Sequence, residues 1–200
     1  MVSDRPDIKC VIVGHNNTGK TCLFIRICKG IFDPSTETTI GFSGVKQIPV
    51  AVDGQDNPIT ISLWDTMGDD RFMAPTRQFT RNANAALVCC SLDNTDFDLE
   101  KAKYWTHTFL KDVPMCKLYL VGTKCDLEKQ QDNESKLQEY ADMYDALYIE
   151  TSSKENINIS ELVKKVATDW VHGGRKGSQQ PLMDILNIDS PPNDKKCCTQ

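Results

Sequence analysis

The chain lacks most of the features that would take it out of the cytosol. No apolar run approaches the roughly 18 residues that a membrane-spanning helix requires. The first ten residues, MVSDRPDIKC, hold no apolar core of a secretory signal, so a cytosolic protein is expected. Basic charge is in deficit. The net charge is −5 and no local basic patch stands out, which argues against a nucleic-acid partner. There are only three histidines, His15, His107 and His172, scattered along the chain, and no C-x-x-C pair, so the common zinc frameworks are missing. No segment repeats.

Cysteine is the exception, with nine. The number is odd and no signal peptide accompanies it, so a disulfide framework is not expected. Cys10, Cys22, Cys28, Cys89, Cys90 and Cys116 lie in apolar or near-apolar runs and read as core. Cys125 lies in a loop motif, and Cys197 and Cys198 stand near the end of the chain.

The 200 residues, 40% hydrophobic and 26% charged, suffice for one globular domain and a tail. Strand and helix patterns alternate along the first 172 residues. Ile8–Val13, Ala85–Cys90 and Lys117–Val121 are short apolar runs of the kind that buried strands show. Val45–Val52 and Ile59–Trp64 flank a turn at Asp53–Gly54 and read as a hairpin. Helical spacing appears over Thr21–Lys29, Leu99–Leu110, Leu137–Tyr144 and Ile157–Val171, with a short strand at Leu147–Ile149. The expected fold is α/β: a six-stranded, mostly parallel sheet with one antiparallel strand and helices on both faces. Residues 1–6 read as an N-terminal extension and 7–172 as the domain. Residues 173–200, rich in Gly, Pro, Ser, Gln and Asn, read as a flexible tail.

Gly14-His15-Asn16-Asn17-Thr18-Gly19-Lys20-Thr21 fits G-x-x-x-x-G-K-[ST], after the first strand and opening the first helix. Such a loop turns its backbone N–H groups inward onto phosphate oxygens, and the helix N-terminus adds the positive end of a dipole. Asn16, Asn17, Thr18, Gly19, Lys20, Thr21 and Cys22 are therefore candidate phosphate binders. Lys20 would reach the β- and γ-phosphates, and the Thr21 hydroxyl would bind Mg²⁺. Asp65 ends a neighbouring strand, where a phosphate-loop protein holds its Mg²⁺. Thr123-Lys124-Cys125-Asp126 follows the run KLYLV. A carboxylate there accepts from the ring N–H and the exocyclic amino group of guanine, and is left unpaired by adenine. The Lys124 stem lies over the purine. In Glu150-Thr151-Ser152-Ser153-Lys154, the backbone N–H groups of Ser152, Ser153 and Lys154 are candidates for the guanine O6.

These motifs in this order resemble the Ras superfamily of small GTPases, and within it the Rabs. The stretch Ala102–Val171 looks most like their divergent, autophagy-associated branch. The resemblance implies a P-loop small G domain that binds GTP and GDP with Mg²⁺ and acts as a switch in vesicle traffic. It gives Phe32 the place of the aromatic beside guanine. Thr39 takes that of the first-switch threonine on Mg²⁺. Gly68 takes that of the glycine whose N–H meets the γ-phosphate. Val45, Trp64 and Phe79 take the places of the apolar trio that effectors read, although Val45 stands where an aromatic is usual. For Trp64 and Phe79, simple core packing is the competing reading. An exchange factor, an activating protein, a GDP-dissociation inhibitor, a prenyltransferase and effectors are implied as partners.

The chain also departs from that family. Asn16 and Asn17 occupy positions where small residues prevail, Met67 replaces a small residue, and Thr123 replaces the usual asparagine. Asp69 stands in place of the glutamine that orients the attacking water. An aspartate is shorter, accepts only, and places negative charge where charge develops in the transition state. Slow hydrolysis is the expectation. The alternatives are an adaptor that holds nucleotide without cycling and a P-loop enzyme acting on ATP.

The chain ends Lys195-Lys196-Cys197-Cys198-Thr199-Gln200. A Rab-like end implies a geranylgeranyl group on each of Cys197 and Cys198, which would hold the protein on the cytosolic face of endomembranes. Read as a C-a-a-X box, the same end implies one farnesyl group on Cys197. Two exposed thiols at a frayed end are the third reading. Two chains anchor stably and one does not. Intact-mass analysis of protein from its own cells is expected to find two geranylgeranyl groups. A single farnesyl mass would exclude the paired anchor, and an unmodified end would exclude both lipids.

Overall fold

A computed structural model describes residues 6–35, 42–68, 79–93, 95, 97–128 and 132–173. The expected N-terminal extension, apart from Pro6, and the tail beyond Gly173 lie outside these residues, as do Thr39, Asp69, Cys197 and Cys198. Among the described residues, six strands alternate with four helices. In chain order they are β1 (Ile8–Val13), α1 (Lys20–Lys29), β2 (Phe42–Val50), β3 (Ile59–Thr66), β4 (Ala85–Ser91), α2 (Leu99–Asp112), β5 (Lys117–Thr123), α3 (Asn133–Met143), β6 (Leu147–Glu150) and α4 (Ile159–His172).

The strands form one sheet in the order β2-β3-β1-β4-β5-β6. Only β2 runs antiparallel to its neighbour, as the hairpin pattern predicts. Pro49 fits because β2 is an edge strand, where a missing N–H costs no ladder bond.

Period-two alternation divides the apolar residues between two cores. Val11, Val13, Ala86, Val88, Leu118 and Leu120 face one side, where Trp105 and Phe109 of α2 and Leu137 and Tyr140 of α3 cover them. Cys10, Ile12, Leu87, Cys89, Tyr119 and Val121 face the other, under Leu23 of α1 and Leu162 and Val166 of α4. With both faces covered, the central strands are apolar throughout, which explains their continuous runs.

Two expectations need adjustment. Four of the six cysteines read as core, Cys10, Cys89, Cys90 and Cys116, are buried, whereas Cys22 and Cys28 are half-buried. Leu23 and Phe24 take the inner stripe of α1, which leaves residues 22 and 28 at its margins. The third helix begins at Asn133, four residues before Leu137. Its polar opening turn hides the period, yet Asn133 is only 1% exposed and its Nδ2 donates to the Leu92 carbonyl.

The chain reverses direction across β1: β2 and β3 are added on one side of it, β4 to β6 on the other. In open parallel sheets such a switch point opens a crevice at the C-terminal ends of the strands. Each candidate motif falls at that edge, following β1, β5 and β6 or, for Asp65, within the end of β3.

Candidate nucleotide-binding site

The phosphate loop is drawn tightly onto the sheet. Gly14 has φ 142°, and a Cβ there would lie 2.4 Å from the carbonyl oxygen of Cys89 on β4. That partner is backbone and cannot swing aside, so no side chain fits. Asn17 sits at φ 65°, in the left-handed region that asparagine tolerates, so it is compatible with the turn. The Thr18 hydroxyl donates to the His15 carbonyl at 2.8 Å, and Lys20 Nζ donates to the same oxygen at 2.6 Å. Lys20 is 6% exposed. Burial pulls its pKa below the usual lysine value, while the Asp65 carboxylate opposes the shift.

The start of α1 is prepared for an anion. Its N-cap, Gly19, gives no side-chain hydrogen bond, and no acidic residue stands in the first turn. The other three helices differ. Asp98 caps α2 by accepting from the Lys101 amide, and Glu100, Glu134 and Glu161 stand in the first turns of α2, α3 and α4. Of the four described helices, the sequence thus places negative charge in the first turn of each except the one behind the phosphate loop.

The Thr21 hydroxyl donates to Asp65 Oδ2 at 2.8 Å, and Asp65 is fully buried. With its proton directed at the carboxylate, the hydroxyl oxygen keeps lone pairs for a hard cation. A hydroxyl and a carboxylate beside an anion site form a donor set that suits Mg²⁺. Gly68 closes this end. A Cβ on it would lie 2.3 Å from Lys20 Nζ and 2.6 Å from the Asn16 nitrogen.

The base end is built from β5, β6 and the loop after each. Thr123, in place of the expected asparagine, directs its hydroxyl at the Thr18 carbonyl at 2.7 Å, with the Cys90 carbonyl at 3.2 Å. It therefore ties the end of β5 to the phosphate loop. The Thr151 hydroxyl nearby is buried and has no hydrogen-bond partner among the described residues. Lys124 takes a left-handed turn at φ 58°. The Cys125 amide donates to the Thr151 carbonyl at 3.1 Å, holding the two base-side loops together. Asp126 Oδ1 accepts from the Ser152 hydroxyl at 2.6 Å.

This last contact revises one expectation. The Ser152 N–H donates to the Ile157 carbonyl at 3.2 Å and so is not directed at a base. Its contribution is the hydroxyl, which aims the Asp126 carboxylate. Sequence reading missed that role, and it also passed over Arg26 of α1, whose guanidinium reaches the carbonyls of Ser153 and Lys154. Neither contact has a local signature, because the partners lie 26 and about 127 residues apart.

Phe32 is half-buried on the segment leaving α1. Val45, 48% exposed, stands in register with Trp64, whose ring centroid is 6.3 Å from that of Phe79. Lys9 Nζ lies 4.3 Å from the Trp64 ring centroid, a cation–π contact on the same patch. Trp64 packs partly against the core while keeping an accessible edge, so packing accounts for part of it.

A sequence model of the Ras family matches residues 9–172. The Ras-related protein Rab-24 of Dictyostelium discoideum is 32% identical over 209 aligned positions, covering 99% of this chain and all of that protein. The Ras-related protein Rab-30 of Homo sapiens is 28% identical, covering 92% of this chain and 87% of that protein, and Rab-30 of Bos taurus aligns equally well.

The contact of Gly68 with the phosphate loop yields a direct test. Gly68→Ala forces a methyl group against Lys20 Nζ and the Asn16 backbone, overpacking that costs about 1–3 kcal/mol. Titration with GTP is expected to show weaker binding in the variant, and wild-type affinity would mean that residue 68 moves away in the bound state.

Proposed function

The chain belongs to the Ras family of small GTPases, in its Rab branch, and on that premise we propose that it is a GTP/GDP switch in intracellular membrane traffic. One observation carries the reading. A buried lysine, a hydroxyl–carboxylate pair and an uncapped helix start stand at the same sheet edge as a carboxylate aimed by Ser152. This juxtaposition supports a reading in which phosphates and guanine share one crevice.

In this reading the backbone amides of residues 16–22 and Lys20 hold the β- and γ-phosphates. Thr21 and Asp65 would hold Mg²⁺, with Thr39 joining them in the GTP state. Bound there, the ion neutralises charge on the phosphate oxygens. Asp126 accepts from the guanine ring N–H and amino group, Lys124 and Phe32 flank the base, and the amides of Ser153 and Lys154 meet O6. Gly68 senses the γ-phosphate through its N–H, and the segments containing Thr39 and Asp69 act as the two switches.

The reaction is attack of water on the γ-phosphorus. The bond to the β-phosphate oxygen breaks, giving GDP and inorganic phosphate. Asp69 in place of glutamine brings negative charge to a step that gains from positive surroundings. We therefore assign slow hydrolysis and a long-lived GTP state. Asn16 contributes by crowding the space in which an activating protein would place an arginine. If hydrolysis is absent altogether, the chain is an adaptor that holds nucleotide.

The patch of exposed Val45 and half-buried Trp64 and Phe79 is the surface we assign to effectors. Exchange factors, activating proteins, a GDP-dissociation inhibitor and a prenyltransferase follow from the same reading. Prenylated Cys197 and Cys198 would hold the protein on the cytosolic leaflet. Extended, the 24 residues of Gly173–Lys196 span roughly 80 Å, so the domain need not touch the bilayer. Work in autophagy is part of the proposal on the sequence resemblance alone.

Two measurements test it. Competition against labelled GDP should show GTP and GDP displacing it while ATP does not. Asp126→Ala should weaken binding by about 2–5 kcal/mol, the range for removing one side of a buried charged hydrogen bond. Equal competition by ATP would remove the guanine assignment. Single-turnover hydrolysis should accelerate in Asp69→Gln, and further with Asn16→Gly. A wild-type rate matching that of glutamine-bearing Rabs would contradict the slow-switch reading.

A further inference from the structure

One side chain outside the recognised motifs holds the base-side loop in place. Arg26 stands in the last turn of α1, and its guanidinium donates to three carbonyls. Nε reaches Ser153 O at 2.6 Å, one terminal nitrogen reaches Lys154 O at 2.9 Å, and the other reaches Gly30 O at 2.6 Å. Gly30 answers by donating its N–H to the Arg26 carbonyl at 2.9 Å. The planar fork of a guanidinium suits this task, since it presents several donors in fixed directions.

The consequence follows from peptide geometry. In a trans peptide the C=O and the next N–H point in opposite directions. Gripping the Ser153 carbonyl therefore turns the Lys154 N–H away from α1. Gripping the Lys154 carbonyl does the same for the Glu155 N–H, which donates to the Ser152 hydroxyl at 3.0 Å. That hydroxyl in turn donates to Asp126 Oδ1 at 2.6 Å. A continuous line of hydrogen bonds thus runs from Arg26 through one peptide plane and Ser152 to the carboxylate.

We propose that Arg26 is a positioning residue for nucleotide retention and base selection, acting on Asp126 through the 152–155 loop. The proposal rests on the guanine reading of the site. It adds a residue that touches neither base nor phosphate and predicts a defect confined to recognition of the base. Its third bond, to Gly30, links the same line to the segment leaving α1. Displacement of that segment would loosen the hold on the base.

The test is the release of fluorescently labelled GDP and IDP from the full-length wild type, Arg26→Ala and Arg26→Lys. IDP lacks the amino group that would donate to Asp126, so the wild type should release it faster than GDP. In Arg26→Ala, GDP release should accelerate about tenfold, the scale of one lost charge-assisted hydrogen bond. IDP release should change less, so the ratio of the two rates falls toward one. Arg26→Lys keeps the charge and stem but not the fork, and should lie between. If Arg26→Ala does not fold, the lysine variant carries the comparison, with a reduced GDP–IDP ratio as the expected result. Equal acceleration of both nucleotides would make Arg26 merely structural and overturn the proposal. Unchanged GDP release would also overturn it, leaving the guanine reading intact. A wild type that does not bind GDP, or does not distinguish it from IDP, would remove that reading and this proposal together.

Discussion

Almost everything at the sheet edge follows from one buried ammonium. An unpaired lysine charge held away from water is costly. In this chain the Lys20 head group rests on the His15 carbonyl, with the Asp65 carboxylate acting on it from the end of β3. Each neighbour makes room for that arrangement. Gly14 lets the loop fall onto β4, Gly68 leaves the space that Nζ occupies, and α1 starts without a cap or an acidic residue. The site therefore holds a buried cation on a single neutral carbonyl beside a helix start that no side chain caps.

The sheet was legible because period-two burial leaves a plain mark. Alternate residues of β1, β4 and β5 serve opposite cores, so the strands appear as unbroken apolar runs. The segments after β1 and β5 could be read as candidate motifs for another reason: the parts of each are contiguous. The illegible parts depend on contacts between distant segments. Asn133 opens α3 by binding a carbonyl 41 residues away, and its polar turn gave no period to read. Ser152 was expected to serve the base through its amide. That amide is used in the bridge to Ile157, which leaves the hydroxyl as the working group. Nothing near Arg26 in sequence announces a partner in the loop before α4.

Thr123 shows how a substitution in a motif is absorbed. A hydroxyl has one proton to give, and here it is directed at the phosphate loop, which keeps the two halves of the site in register. An amide would carry two donors and an acceptor. The shorter side chain makes the tie to Thr18 with its single proton, so the end of β5 stays fastened to the loop after β1.

The hairpin between β2 and β3 turns at the end of the sheet opposite the crevice, because β2 is the antiparallel strand. Buried Val52 fastens the base of the turn to the core, while its tip, Asp53 and Gly54, is exposed and adds a surface ion pair from Asp53 to Lys164. Surface pairs of this kind contribute little. The molecule thus has two unequal ends. On the proposed reading one edge is constrained by the nucleotide, while the exposed tip beyond Val52 can change length or charge without reaching it. Lineages of this chain can diversify at the hairpin tip, and a reporter domain inserted there would ride on the protein as a passenger.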